Sequence, residues 1–234
     1  MDSGKIQRGR LYIVATPIGN LKDITYRAVE ILQEADYIAA EDTRKSRKLL
    51  THYGIPGKVV SYYSVKEDVK AQMLLGLLAQ GKSVALVTDA GTPAISDPAL
   101  KIVRLAISNG IDVVPVPGPS ALVASLCASG LDTSSFFFDG FLPVKSGRRL
   151  SRLKELLASD RTVVIFESTH RILRLIDELH DEAPERCIVV ARELTKIFEE
   201  FIRGTPAEVR QKLTGKKVKG EFVVLIPAAR AHPV

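Results

Sequence analysis

The chain has 234 residues, of which 46% are hydrophobic, and its formal net charge is +6 at pH 7. That length accommodates one large domain or two compact ones, because domains commonly span about 100 to 150 residues. No apolar run approaches the roughly 20 residues of a membrane-spanning helix, and the polar start MDSGKIQRGR is unlike a signal peptide. The sequence thus predicts no membrane segment and no secretion signal.

Cysteine and histidine usage argues against metal or disulfide chemistry. The two cysteines, Cys127 and Cys187, lie far apart and form no CxxC pair, and the four histidines lack the spacing of metal ligands. We therefore expect no metal site, no disulfide framework and a location in the reducing cytoplasm.

The first half of the chain alternates short apolar runs with helical patterns. The runs that read as strands are LYIVAT, YIAAE, VVSYY, VALV and IDVVPV. Between them, apolar residues recur at helical spacing, as at Ala28 and Ile31, and Gly54 and Gly81 mark helix ends. The pattern predicts an α/β domain over residues 10–129 with a mainly parallel sheet.

Three unusual loops each follow a strand: TPIGN, TDAGTPAISDP and PVPGPSA. The carboxyl ends of parallel strands meet at one edge of a sheet, and ligands bind at that edge in folds of this class. We therefore expect the three loops to share a cleft. Within the second loop, Asp97 is predicted to cap the next helix, with Pro98 at its first position.

The composition of these loops suits a ligand that is held by the backbone. Gly19, Gly91 and Gly118 lack a Cβ and let the main chain approach a ligand closely, and Asp89 can accept hydrogen bonds from a ribose or an amine. Taken singly, these are ordinary turn residues. The motifs GxGxxG, GxxxxGKS/T and GxSxG are absent, which disfavours the usual nicotinamide and ATP sites and a nucleophile elbow.

The second half changes character near Gly130. An aromatic, extended stretch, SSFFFDGFL, precedes a basic helix over about 147–157, and TVVIFEST, RCIVVARELT, KIFEEFIRG and GEFVVLIP read as strands. Further helices are predicted around Ile172 to Leu179 and over TPAEVRQKL. The higher share of strands predicts an α+β lobe with a mixed sheet over 130–228, packed closely against the first lobe around a crevice.

Lysine and arginine concentrate in three clusters. They are RKSRK at 44–48, KSGRRLSRLK at 145–154 and KKVK at 216–219. Each cluster alone reads equally well as a solvated face, whereas three in one fold favour a surface that binds a polyanion.

Longer motifs resemble one family. LYIVATPIGNLKDITYRAVEILQEADYIAAEDTRKSRKLL, VTDAGTPAISDP, VPVPGPSAL, FESTHRI, ARELTKIFEE and GEFVVLI are similar to the ribosomal RNA small subunit methyltransferase I group of the tetrapyrrole methylase superfamily. The resemblance runs from about Leu11 to Ile226. It implies two lobes with S-adenosylmethionine bound between them, methyl transfer to a cytidine ribose 2′-hydroxyl in the 16S ribosomal RNA of the small subunit, and a cytoplasmic homodimer.

Carried over by position, the resemblance implies cofactor contacts in both halves of the chain. In the first half they are Pro17, Ile18, Gly19, Asp89, Gly91, Thr92, Ser120 and Ala121. In the second half they are Phe166, Glu167, Ala191, Arg192, Gly220 and Glu221. Walls of backbone and small side chains suit such a cofactor, whose sulfonium is already an activated methyl donor.

The methyl acceptor poses a separate question, because a ribose hydroxyl is a weak nucleophile. A base or neighbouring cations can activate it. Glu193, Lys196 and Asp42 are the catalytic candidates, and the sequence does not identify the base. EDTRK also reads as a helix N-cap at Asp42 or Thr43, and Lys196 as a phosphate contact or a surface lysine.

The RNA-binding candidates lie in the first two basic clusters, where they would contact phosphates and set the salt dependence of binding. They are Arg44, Lys45, Arg148, Arg149 and Arg152. Nearby aromatic side chains, among them Tyr62 and Phe141, can stack on an unpaired base or serve as core residues.

Two other functions stay open at this point. One is a methylase of the same superfamily that acts on a small molecule of the tetrapyrrole type, although the EDTRK and KSGRRLSRLK clusters argue against it. The other is a non-catalytic RNA-binding protein that has kept the fold.

Overall fold

The computed structural model describes residues 9–63, 67–215 and 218–230, which form two compact units that divide between Ser120 and Ala121. Both units combine helices with a sheet, so the predicted α/β class is confirmed. No helix of the described residues is both long enough and apolar enough to cross a lipid bilayer.

The first unit alternates strands and helices as the sequence predicts. Its strands are β1 (Leu11–Val14), β2 (Tyr37–Ala40), β3 (Val59–Ser61), β4 (Val84–Val87) and β5 (Val113–Val116). Its helices are α1 (Tyr26–Glu34), α2 (Thr43–His52), α3 (Glu67–Ala79) and α4 (Leu100–Ser108), with a short 3-10 helix at Leu21–Asp23.

The five strands form a parallel sheet in the order β3-β2-β4-β1-β5. All four residues of β4 are buried, which is typical of an inner strand with helices on both faces. Because every strand runs the same way, the loops that follow β1, β4 and β5 begin at the same edge. The predicted parallel sheet is therefore confirmed.

The helices of the first unit begin and end at recognisable signals. Thr25 caps α1, since its side chain accepts a hydrogen bond from the Ala28 backbone N–H, and Ala28 and Ile31 lie in the core. After α2 the chain turns at Gly54, whose φ of 62° favours glycine.

The predicted start of α4 is wrong. Asp97 does not cap the helix; the helix begins at Leu100 after Ala99, and no side chain makes a cap hydrogen bond there. The segment before it contains Ala94 and Ser96 with φ of 73° and 65°. Ala99, with φ of −177°, lies outside the helical region, so Pro98 is not the first residue of the helix.

The second unit begins with a helix and contains the second sheet. Its helices are α5 (Ala121–Ser129), α6 (Ser146–Leu157), α7 (Ile172–Glu182) and α8 (Pro206–Thr214). Its strands are β6 (Phe136–Phe141), β7 (Thr162–Ser168), β8 (Ile188–Arg192), β9 (Glu200–Gly204) and β10 (Glu221–Ile226). Helix α5 contacts β10 and β8, which is why it belongs to this unit although the composition changes only near Gly130.

The second sheet has the order β6-β7-β10-β8-β9. Strands β6 and β7 run parallel, whereas β10 pairs antiparallel with both β7 and β8, and β9 pairs antiparallel with β8. The predicted mixed sheet is thus confirmed, with β10 as its middle strand. One core packs α6, α7 and α8 against it through residues such as Leu153, Leu175 and Val209.

Only the second half of the predicted strand KIFEEFIRG is a strand. β9 begins at Glu200, and the residues before it form a turn in which Glu193 and Thr195 have φ of 51° and 66°. Two non-glycine residues in this region mark a strained connection of the kind that often accompanies a functional site.

Candidate active site

The first two predicted loops meet directly in the first unit. Thr16 and Gly91 exchange backbone hydrogen bonds, with N···O distances of 2.9 and 3.0 Å. The φ of Gly91 is 85°, and a Cβ placed there would lie 3.4 Å from Ile18 Cγ2. Glycine is therefore favoured here by the left-handed turn, since a Cβ would make only an ordinary contact with Ile18.

The third loop joins the same edge. Thr92 Oγ1 donates to the Pro119 carbonyl at 3.2 Å, and a Cβ on Gly118 would come within 3.0 Å of Ala15 Cβ. The structure therefore brings together, within the first unit, the loops that hold Pro17, Ile18, Asp89, Gly91 and Thr92. Gly19 lies exposed on the first loop, and Ser120 ends the third.

Asp89 has partners within the protein. Its Oδ1 accepts a hydrogen bond from the Asp42 backbone N–H at 3.1 Å, and its Oδ2 lies 2.6 Å from Lys45 Nζ. This contact ties the start of α2 to the second loop. This ion pair holds Lys45, a candidate for RNA binding, at the loop cluster, although its side chain remains exposed.

Asp42 caps α2. Its Oδ1 accepts from the Arg44 backbone N–H at 2.8 Å, and the Arg44 guanidinium pairs with both carboxylate oxygens. Hydrogen bonds from the Arg44 side chain and backbone lower the pKa of Asp42 to about 2. Because Arg44 engages both of its carboxylate oxygens, the helix-cap interpretation fits Asp42 better than the catalytic one.

Two carboxyls beside Asp89 behave in the opposite way. Burial raises the pKa of Asp97 to about 6, and the negative charge of Glu41 adds to the shift. Burial, followed by the charge of Asp89, also raises the pKa of Glu41. The carboxyl edge of the first sheet therefore holds groups that gain and lose protons more readily near neutral pH than ordinary carboxyls do.

The second unit gathers its predicted residues on three neighbouring strands. Val223 of β10 lies between Phe166 of β7 and Ala191 of β8. The next position, Phe222, lies between Glu167 and Arg192 in the same register. The predicted residues of FEST, ARELT and GEF thus lie at adjacent positions of three neighbouring strands, with Phe166 and Ala191 on one face of the sheet and Glu167 and Arg192 on the other.

Glu167 is buried and held locally. Its Oε1 accepts from the Ser168 backbone N–H at 2.7 Å, and its Oε2 lies 3.3 Å from Arg171 Nη2. Arg171 in turn donates to the Leu142 carbonyl. These contacts fix the end of β7, so Glu167 has a structural role whatever else it contacts.

Glu193, Lys196 and Glu221 form a charged cluster at the end of β8. Lys196 Nζ lies 2.8 Å from Glu193 Oε1 and 2.9 Å from Glu221 Oε2. Glu193 Oε1 also accepts from the Glu221 backbone N–H at 3.0 Å. The cluster therefore joins two of the catalytic candidates to a cofactor candidate.

Glu193 and Lys196, two of the three catalytic candidates, are both charged at neutral pH. Burial would raise the pKa of Glu193, but hydrogen bonds from Lys196 and from the Glu221 backbone bring it below its ordinary value. Burial would lower the pKa of Lys196, but its hydrogen bonds to Glu193 and Glu221 raise it. Lys196 is thus a fixed cation and not a neutral base.

Gly220 is required beside this cluster. Its φ is 111°, and a Cβ at this position would lie 2.5 Å from Glu193 Cγ and 2.6 Å from Cδ. Contacts that short force the Glu193 side chain to move. The GEF motif therefore contains glycine because the carboxylate passes directly over its backbone.

The three arginines of α6 have different environments. Arg149 is 1% exposed and pairs with Glu178 of α7, so it anchors the helix and does not reach the surface. Arg152 pairs with Asp139 and Glu155. The Arg148 side chain is exposed and has no hydrogen bond or ion pair within the described chain. Among the three, Arg148 is the one available to a phosphate.

A groove of about 540 Å³ runs beside Arg148. Phe141 lines it with about half of its surface exposed, and its ring makes an edge contact with Phe166 at a centroid distance of 5.9 Å. Arg152 and Asp139 line the groove too. An exposed ring beside an unpaired guanidinium suits an unpaired nucleotide. Tyr62, the other aromatic candidate, is buried and bonds to Glu67.

The third basic cluster lies mostly outside the described residues, which omit 216 and 217. Within the described part of the chain, no group of three or more histidine, cysteine, aspartate or glutamate side chains is arranged to hold a metal ion.

Sequence reasoning missed two features of the first unit. It assigned Asp97 to a helix cap, because Asp before Pro is typical of that position, and so missed its partial burial beside Glu41. It also passed over Ser46, a buried residue inside a basic run. The helical spacing of Ser46 and Leu50 is the one signal that indicates an inward-facing position.

Comparison with known proteins identifies the family to which these features belong. A family model described as tetrapyrrole (corrin/porphyrin) methylases matches residues 10–210. A ribosomal RNA small subunit methyltransferase I of Pasteurella multocida is 48% identical over 221 residues, which cover 93% of this chain and 79% of that protein. A protein of the same name from Halalkalibacterium halodurans is 46% identical over 219 residues, with coverage of 94% and 76%.

A solved structure shares the fold. The X-ray structure of a cobalt precorrin-4 methyltransferase, 22% identical, matches with a TM-score of 0.67 over 96% of this chain and 98% of that chain. At this level of identity the match concerns the architecture alone.

Proposed function

Because the chain belongs to the tetrapyrrole methylase family and, within it, to the ribosomal RNA small subunit methyltransferase I family, we propose that it methylates the 2′-hydroxyl of a cytidine ribose in 16S ribosomal RNA. Its methyl donor is S-adenosylmethionine. The observation that carries the proposal is the convergence of three loops at the carboxyl edge of the parallel sheet, beside a basic helix.

The loop cluster fits this cofactor. The residues assigned to it in the first unit offer backbone and small side chains; they are Pro17, Ile18, Gly19, Asp89, Gly91, Thr92 and Ser120. Ala121, the next candidate, is the first residue of the second unit. The left-handed φ of Gly91 exposes main chain without a Cβ. Bound S-adenosylmethionine supplies an activated methyl group on a sulfonium. In the second unit the proposed cofactor contacts are Phe166, Glu167, Ala191, Arg192, Gly220 and Glu221.

Activation of the ribose hydroxyl is assigned to Lys196 and Glu193. The fixed charge of Lys196 stabilises negative charge that develops on the acceptor oxygen. Glu193 uses Oε1 to hold Lys196, and its Oε2 accepts no hydrogen bond from the described chain. That oxygen can accept the proton of the 2′-hydroxyl. Asp42 has the lesser role of positioning α2.

Binding of the small ribosomal subunit is assigned to two basic surfaces. In the first unit these are Arg44 and Lys45 on α2, and in the second unit Arg148 beside the groove of Phe141. Arg152 contributes less, since two carboxylates already neutralise it. The buried Arg149 supports the helix that carries them.

The assembly and location of the protein are also proposals. The family resemblance supports a homodimer, and two unpaired cysteines fit a reducing cytoplasm. Sedimentation at micromolar concentration tests the dimer, which a purely monomeric mass would exclude.

A labelling experiment tests the function. Tritiated S-adenosylmethionine is supplied with unmethylated small subunits or with a tetrapyrrole precursor. Label is expected in 16S ribosomal RNA, and the phosphodiester after the labelled cytidine should resist alkali, because the methylated oxygen can no longer attack it. An alkali-sensitive product would indicate base methylation, and label in the tetrapyrrole would indicate the small-molecule alternative. Failure to bind the cofactor would favour a non-catalytic RNA-binding protein.

A further inference from the structure

A small pocket of about 160 Å³ lies in the first unit where the first loop passes over α2. Thr16 and Pro17 line it from the loop, Asp89 from the second loop, and Lys45, Ser46 and Lys48 from the helix. Cofactor sites commonly have volumes of about 300–1,000 Å³, so this pocket is too small for a whole cofactor. It is large enough for one compact group.

Ser46 is the unusual member of this pocket. It is 5% exposed, and its Oγ has no hydrogen-bond partner in the described residues. Buried hydroxyl groups are nearly always paired, because an unpaired one destabilises the folded protein. A ligand oxygen that accepts from Ser46 Oγ removes this penalty.

Charge in the pocket favours an anion. Lys45 Nζ lies 2.6 Å from Asp89 Oδ2, so these two charges offset each other. The Lys48 side chain is exposed and has no ion pair or hydrogen bond within the described chain. One unpaired cation therefore remains beside one unpaired hydroxyl donor, a combination that matches the oxygens of a phosphate.

Contacts within the first unit hold the pocket in shape. The Tyr53 hydroxyl, just after α2, donates to the Leu21 carbonyl and ties the first loop to the helix. On its other side the loop is tied to Gly91 through Thr16. A preformed site binds with a smaller entropic cost than one that must assemble.

We propose that this pocket binds one phosphate of the RNA strand close to the methylated ribose. Ser46 Oγ donates to a phosphate oxygen, and Lys48 Nζ neutralises its charge. The inference rests on the proposed function and adds two residues to its substrate contacts. It places them beside Pro17 and Asp89, which are candidates for the cofactor.

The variant Ser46→Ala tests the hydroxyl. Because it removes an unpaired buried group and places a better helix former in α2, the melting temperature is expected to stay the same or rise. Affinity for a short single-stranded RNA, measured by fluorescence anisotropy, is expected to fall about tenfold. Affinity for S-adenosylmethionine, measured by calorimetry, should not change.

The variants Lys48→Ala and Arg47→Ala form a matched pair. Both remove one exposed positive charge from adjacent positions of α2, but Arg47 does not line the pocket. Lys48→Ala is expected to weaken RNA binding more than Arg47→Ala does. It should also reduce the salt dependence by about 0.7 in log affinity per log salt, the value for one lost contact to a single strand.

Each alternative result overturns the inference. Equal losses of RNA affinity in Lys48→Ala and Arg47→Ala would indicate that the RNA responds to the overall positive charge of α2 and not to this pocket. A lower melting temperature in Ser46→Ala with unchanged RNA affinity would indicate a structural hydroxyl, and a loss confined to S-adenosylmethionine would assign the pocket to the cofactor carboxylate. Failure of the unaltered protein to bind the RNA would also exclude the proposed phosphate site.

Methyl transfer to unmethylated small subunits is measured in parallel on the unaltered protein. Absence of transfer contradicts the proposed function and leaves the binding results for the pocket to be judged separately. Normal transfer with unaffected variants contradicts only the pocket.

Discussion

The ammonium group of Lys196 lies 2.8 Å from Glu193 Oε1 at the end of β8. Burial acts to neutralise both groups, but their mutual hydrogen bond and the bond to Glu221 keep both charged. The pair therefore presents a fixed positive charge next to a carboxylate oxygen that has no partner in the described chain. This arrangement suits an acceptor that develops negative charge as it loses a proton.

We predict that Lys196→Met lowers the rate of methyl transfer to small subunits by about 100-fold, the typical effect of removing one stabilising group from an active site. Affinity for S-adenosylmethionine should stay nearly unchanged. Lys196→Arg keeps the charge and should retain more activity. Initial rates at saturating cofactor measure the effect, and full activity of Lys196→Met would remove this residue from the mechanism.

The contribution of the Lys196 charge to the stability of the folded protein should be lost only at alkaline pH. Because its folded pKa lies above the ordinary value, its contribution is complete below the unfolded pKa of about 10.4 and is lost as pH rises through the folded pKa.

Gly220→Ala is expected to disturb the same cluster from the backbone side. The new Cβ would lie 2.5 Å from Glu193 Cγ, and the positive φ would be strained. We expect a loss of about 1–3 kcal/mol in the free energy of unfolding, together with lower transfer activity. Gly215→Ala is the control, because its φ is −65° and the nearest atom is 3.7 Å away. Equal effects in both variants would contradict the steric argument.

Gly91→Val is predicted to abolish binding of S-adenosylmethionine. A branched side chain at a φ of 85° strains the second loop and fills the space next to Ile18. Calorimetric titration with the cofactor measures the loss. Gly76→Ala in α3 is the control, since a Cβ there meets no atom within 4 Å, and it should stabilise the protein by about 0.5–1 kcal/mol. Unchanged affinity in Gly91→Val would remove the second loop from the cofactor site.

Asp97 should make stability fall as pH rises. Its folded pKa of about 6 exceeds the unfolded value of about 3.9, so the folded protein binds more protons between these two values. The carboxyl is least destabilising below pH 4, and its penalty is complete above pH 6. Allowing for solvent screening of this partly exposed group, the penalty is about 2 kcal/mol.

Urea unfolding from pH 4 to pH 8 measures this dependence. Asp97→Asn should flatten the decline and raise stability at pH 7. A smaller dependence of the unfolding free energy on pH should remain, because the pKa of Glu41 is also raised. Parallel curves for the two proteins would show that Asp97 does not titrate in this range.

Neighbouring arginines of α6 should respond differently to substitution. Arg149→Met leaves Glu178 without its buried partner and is expected to cost about 3–5 kcal/mol of stability. Arg148→Ala should leave stability unchanged and weaken RNA binding, with a smaller salt dependence. Thermal melting and anisotropy separate the two effects. Normal RNA affinity in Arg148→Ala would exclude the groove beside Phe141 from RNA binding.

Periodicity and loop position predicted most of the fold. Buried runs such as those of β1 and β4 have no other plausible place than a covered sheet, and the loops after parallel strands must share an edge. The exceptions arose where local signals conflicted with tertiary structure. Asp97 and Pro98 satisfy the rules for a helix start, but Ala99 lies outside the helical region and the helix begins only at Leu100.

Side-chain roles were less predictable than backbone positions. Arg148 and Arg149 are adjacent and chemically identical, and only the packing of α6 on α7 separates the exposed one from the buried one. The contact of Lys196 with Glu221 joins residues that are 25 positions apart. Such a pairing depends on the register of β8 and β10, which the sequence does not specify.

The position of β10 affects when the second unit can fold during translation. This strand, Glu221–Ile226, is the last strand of the described residues and yet the middle one of its sheet, between β7 and β8. The first sheet needs nothing beyond Val116 and can form while translation continues. Until β10 emerges from the ribosome, β7 and β8 each expose an unpaired edge, so we expect the nascent second unit to be prone to aggregation until that strand is added.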